Sequence, residues 1–84
     1  MREYHPFYSD LVADFLLTLT KARQRKLIQT CNQPARNPFL ESDYRFKDSD
    51  GRYIEHLMIE GFIIAYWVDH AVCQVMIVEV DNVR

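Results

Sequence analysis

The chain has 84 residues, 49% hydrophobic and 26% charged, with a formal net charge of −2. That length holds one domain around one small core, and that composition excludes a disordered chain. A domain that binds nucleic acid broadly would be more basic.

The charge is divided unevenly: residues 1–40 carry six Lys/Arg against three acids, and residues 41–84 carry four against nine. Cys31 and Cys73 stand 42 positions apart in a chain without a signal-peptide pattern. They read as reduced, buried thiols of a cytoplasmic protein, with a disulfide as the alternative. The most apolar stretch, residues 57–68, is broken by Glu60-Gly61 and closed by Asp69-His70. It is too short for the roughly 20 apolar residues that cross a bilayer, so no membrane role is expected.

In chain order, residues 2–5 offer a short strand. Residues 8–19, YSDLVADFLLTL, predict an amphipathic helix, with Ser9 as N-cap and Leu11, Phe15 and Leu19 recurring every four residues beside Val12 and Leu16. Thr20 caps a second predicted helix through KARQRKLIQTCNQ, with Leu27, Ile28 and Cys31 as its apolar edge and Lys21, Arg23, Arg25 and Lys26 facing water. Pro34 and Pro38 are expected to end it. After residue 40 the period falls to two. DYRFK, residues 52–59, residues 62–68 and VCQVMIVEV predict four strands, with turns at Asp48-Ser-Asp-Gly51, Glu60-Gly61 and Asp69-His70-Ala71. The expected fold is α+β: a helical hairpin over about 8–34, packed on a curved, mainly antiparallel four-stranded sheet over about 43–80, in one domain spanning 1–84.

Residues 62–68 do not alternate. Phe62, Ile64, Tyr66 and Val68 point to one face and Ile63, Ala65 and Trp67 to the other, and residues 75–78 are apolar throughout. Two helices cover one face only, so the surplus implies a partner chain, a second copy or a bound peptide. The alternative is a strongly curved sheet that folds both faces into one core. The expected binding residues are Phe62, Ile64, Tyr66, Trp67 and Met76.

With this element order, Tyr44-Arg45, Gly51-Arg52, Tyr66-Trp-Val-Asp69 and Asn37-Pro38 resemble motifs of the RelE/ParE superfamily of bacterial toxin–antitoxin (plasmid-stabilisation) proteins. The resemblance covers most of the chain through short, degenerate motifs. It implies a cytoplasmic toxin-like component with a cognate antitoxin, and no cofactor. In the ribosome-dependent ribonuclease branch, basic, His and Tyr side chains activate a ribose 2′-hydroxyl of messenger RNA and stabilise the charge that develops. The implied counterparts are Arg45, Lys47, Arg52 and Tyr66. Two departures weigh against that activity. The sheet half is acidic, and EVDNVR ends the chain where ribonucleases continue with His or Arg and Tyr. The ParE-like branch, which binds gyrase, or an inactive descendant fits better. The expected function is therefore protein–protein binding with ribonuclease activity reduced or absent. A ribosome-dependent endoribonuclease and a non-catalytic homodimeric module are the alternatives.

The remaining residues point less sharply. His5, His56 and His70 lack metal-ligand spacing, so no metal site is expected. Glu55 and His56 face opposite sides of a strand, which makes poor geometry for a dyad between them. The tyrosines and Trp67 could stack bases, but on strands they serve core or interface.

Overall fold

The structure, a computed structural model, describes residues 2–83. Its elements are β1 (His5–Tyr8), α1 (Asp10–Leu17), α2 (Lys21–Arg36), β2 (Tyr44–Lys47), β3 (Tyr53–Ile59), β4 (Phe62–Asp69) and β5 (Gln74–Asn82). The sheet order is β1-β5-β4-β3-β2, with β1 parallel to β5 and every other pair antiparallel. The α+β expectation holds, but the sheet has five strands rather than four. The fifth is β1, which begins at His5, where the sequence offered residues 2–5. Its signal is weak because Pro6 interrupts it, and Pro is tolerated there because β1 is an edge strand.

Both helix caps are where the sequence puts them. The Ser9 hydroxyl accepts from Val12 N–H and the Thr20 hydroxyl from Arg23 N–H, each at 3.3 Å. On α1 the inward residues are Val12, with Phe15 and Leu16 beside it, while Leu11 lies on the outside. On α2 they are Leu27, Thr30, Cys31, Pro34 and Ala35, and Ile28 is partly exposed. Pro34 does not end α2. It sits in the last turn, where its missing N–H forfeits one hydrogen bond, and its ring is fully buried. The helix stops at Asn37, whose φ of −135° and ψ of 84° leave the helical region that Pro38 disfavours for the residue before it.

The turns follow their residues. Glu60 and Gly61 have φ of 56° and 81°, the pair of positive values that a two-residue type I′ hairpin needs. At 48–51 the Asp48 carboxylate accepts from the N–H groups of Asp50 and Arg52. The last turn starts one residue later than predicted and ends two later, at 70–73, because Cys73 takes a left-handed φ of 55° and β5 starts only at Gln74.

Both helices pack on one face of the sheet. Phe62, Ile64 and Tyr66 of β4 join Leu57 of β3, Val75, Ile77 and Val80 of β5, and the inward helix residues in one core. A bulge makes that set consistent. Ala65 pairs with Glu79 but Tyr66 pairs with Ile77, so Val78 is an extra residue. Strict alternation from Val75 and Ile77 would drive Glu79 into the core; the bulge turns Glu79 out and Val80 in. Ser9 fastens this point: its hydroxyl donates to Val78 C=O at 2.8 Å and its N–H to Ile77 C=O at 3.0 Å.

The basic run on α2 is not wholly solvated. Arg23 folds back so that its guanidinium lies 4.2 Å above the Phe62 ring, and Lys26 sits 3.6 Å from Glu60. The exposed ion pair contributes little; the cation over the ring extends the core. Phe62 is 0% exposed and meets Phe15 edge-on at 6.3 Å. Phe62→Ala should lower unfolding free energy by roughly 3–5 kcal/mol. Leu17→Ala, at a side chain 78% exposed, should stay within about 0.5 kcal/mol. Urea denaturation of the two variants checks both values.

Candidate functional site

Beyond the edge of the helices, the same sheet face continues over β3 and β2. There the register lines up Arg45, Glu55 and Tyr66 in one cross-strand row, with Lys47 opposite Tyr53 in the next. The loop at Pro38, Phe39 and Leu40 and the turn at His70 close the sides of a cleft of about 370 Å³. The row puts a cation, a carboxylate and a phenol side by side because residues facing one another across a pleated sheet share a face.

The cation is not free. Arg45 Nε lies 2.7 Å from Glu55 Oε1, and Glu55 is 13% exposed. The Nε–H is off the line of a hydrogen bond, so the contact is an ion pair and Oε1 accepts nothing else. Ser42 Oγ reaches the other carboxylate oxygen at 3.5 Å. The Arg45 guanidinium and Lys47 Nζ stand 5.0 Å and 5.3 Å from the Tyr53 ring centre. Tyr66 is buried at the base of the row. Burial pushes its phenol up to about 12, Glu55 pushes the same way, Arg45 opposes and Asp43 adds a little. A phenol held there is a poor proton donor or acceptor near neutral pH. At the mouth, His70 Nδ1 is 2.8 Å from the Tyr4 hydroxyl, and the imidazole stacks on Phe39 at 5.1 Å.

Of the four residues put forward for catalysis, the fold gathers Arg45, Lys47 and Tyr66. Arg52 is on the other face, its guanidinium 4.0 Å above the Trp67 ring and its Nη1 4.0 Å from Asp48. The five proposed binding residues separate likewise. Phe62, Ile64 and Tyr66 are core, at 1% exposure or less, and cannot meet a partner while the helices are in place. Trp67 and Met76 pair across strands on the opposite, uncovered face. Sequence reasoning weighed Glu55, Tyr53 and His70 without placing them at this site, and did not reach Phe39. Strand parity was the available signal for the first two, since Tyr53 and Glu55 share the face of β3 that carries Leu57 and Ile59.

No protein-family model and no curated protein matches the sequence. Solved structures do match, and they define the architecture as that of RelE toxins. A chain of the RelBE2 toxin–antitoxin complex of Mycobacterium tuberculosis superposes with a TM-score of 0.79 at 13% identity, covering 96% of this chain and 99% of that one. A chain of the archaeal RelE–RelB complex of Pyrococcus horikoshii gives 0.73 at 13%, covering 96% of each. The isolated Escherichia coli RelE toxin gives 0.68 at 15%, with 96% and 85% covered. The present chain is thus a divergent example of that fold.

Burial also fixes a pH response. The Cys31 thiol is raised from 9.0 to about 12 and the Tyr66 phenol from 10.0 to about 12, both chiefly by desolvation. The unfolded chain ionises these groups first, so the stability they confer is complete below their ordinary values and is lost as pH climbs toward about 12. Thermal melts should show a falling midpoint over that window, and Tyr66→Phe should flatten the upper part. A wild-type midpoint that stays level there would contradict the assignment.

Proposed function

We propose that this chain is the toxin-like component of a two-protein bacterial module, cytoplasmic, and that it acts by binding protein rather than by cutting RNA. The observation that carries the reading is the match over nearly the whole length of both chains to a member of a toxin–antitoxin complex. The cleft supports the second half. Cleaving RNA through a 2′-hydroxyl calls for cations free to meet the phosphorane-like charge and a base with a tunable proton. Here Glu55 neutralises Arg45 at 2.7 Å, Arg52 lies on the far face and Tyr66 is buried with a raised pKa. Among the described residues, Lys47 is the cation of the proposed set without a carboxylate partner, and it lies against Tyr53 at the rim. Among the targets implied by the resemblance, this favours a protein such as gyrase, bound outside the cleft, over ribosome-bound messenger RNA.

The cognate antitoxin belongs on the helix side. Leu11, Leu17, Ile28 and Phe39 are all exposed there, and an amphipathic antitoxin segment would bury them. Co-expression with the product of the adjacent gene should give a stable complex and relieve any growth arrest caused by this chain alone. Leu11→Asp with Leu17→Asp should weaken capture by about tenfold or more. Arg45→Ala and Lys47→Ala should leave any arrest intact. Loss of arrest in folded forms of both variants would instead make the chain a ribonuclease. Neither arrest nor capture would remove it from the toxin–antitoxin class.

A further inference from the structure

The sheet face turned away from the helices is apolar, open and chemically two-ended. Across it run Phe7 of β1, Met76 of β5, Trp67 and Ala65 of β4, and Tyr44 and Phe46 of β2. Phe46 is 62% and Phe7 54% exposed. At one end Arg52 lies flat on Trp67. Toward the other, Tyr44 stacks on His56 at 4.6 Å, and these two rings, Ile63, Ala65, Glu79 and Asp81 line a hollow of about 200 Å³. Among the described residues, Glu79 and Asp81 have no cationic partner. A hollow with aromatic rings and two unpaired carboxylates suits a guanidinium, which gains from both the ring faces and the charges.

The structure assigns this face to a second copy of the same chain, paired through a twofold axis that seats Arg52 of each copy in the Tyr44–His56–Glu79–Asp81 hollow of the other. A twofold contact requires a patch complementary to itself, so that each residue finds in its partner what it offers. This face meets that requirement. Its cation lies at Trp67 and its carboxylates lie beside Ala65 and Ile63, so an axis across the strands between Ala65 and Trp67 exchanges them. The same operation brings the largest side chain of β4, Trp67, over its smallest, Ala65. The helix side and the cleft stay free, so the pairing does not depend on the function proposed above.

Trp67 is the only tryptophan in the chain, which makes it a direct reporter. Light scattering of the wild-type protein should give twice the chain mass at high concentration. Tryptophan emission should shift to the red on dilution as Trp67 becomes wet. Arg52→Glu alone, and Glu79→Arg with Asp81→Arg, should each raise the dimer dissociation constant at least tenfold. Combining all three substitutions should restore the dimer, because the charges are exchanged and not lost. Circular dichroism and melting temperature confirm that each variant is folded. A wild-type monomer at high concentration overturns the proposal, as does a dimer indifferent to every charge reversal. A monomer whose capture of the antitoxin is abolished by Arg52→Glu overturns it too, and gives the face to the antitoxin.

Discussion

The bulge at Val78 is the constraint on which the rest of the sheet depends. A strand alternates strictly, and β5 reads Val75-Met-Ile77-Val78-Glu79-Val80-Asp81. Without the extra residue, a single register would put either Glu79 or Ile77 on the wrong side, and neither choice leaves a dry core. With it, Val75, Ile77 and Val80 all face the helices. The bulge also leaves the Val78 carbonyl in need of a donor, and the Ser9 hydroxyl supplies one at 2.8 Å. Ser9 therefore caps α1 and pins it to the kink. The helical layer is registered on the sheet at the place where the sheet changes parity.

That change of parity determines what each face can do. On the helix side, β4 and β5 are used up by the core, and the β2–β3 end stays accessible as a cleft. On the other side, Glu79 and Asp81 come to the surface beside aromatic side chains from β2 and β3. The absence of alternation along β4 has the same origin. Its even-numbered residues face the helices, and its odd-numbered residues, Ile63, Ala65 and Trp67, form the floor of the open face. One eight-residue strand is thus apolar on both faces, and the helices cover one of them.

Much of this was legible in the sequence where local chemistry suffices. Ser9 and Thr20 announce the helices, Gly51 and Glu60-Gly61 announce turns, and the period of two after residue 40 announces strands. What was hidden depends on partners distant along the chain. β1 exists because an edge position tolerates Pro6 and β5 offers a parallel neighbour. Pro34 stays helical because burial of its ring offsets the lost hydrogen bond. Arg23 reads as a solvated cation until Phe62 is placed beneath it. His70 reads as a turn residue until Tyr4, 66 positions away, and Phe39 close on it. Arg45, Lys47 and Arg52 look like one basic set, yet parity sends Arg52 to the opposite face.

The Arg45–Glu55 pair connects this geometry to function. A guanidinium bound by a largely buried carboxylate keeps its place in the sheet but loses most of the field it would project toward a phosphate. Tyr66 shares the same row, and Glu55 adds to the burial that keeps its phenol protonated. One carboxylate therefore quiets both a cation and a proton donor that the fold places at the base of its cleft. Compactness, fold and an accessible helix side are untouched by that arrangement, and they are what protein binding requires. A chain built this way has the architecture of RelE toxins, with one carboxylate holding both the cation and the phenol at the base of its cleft.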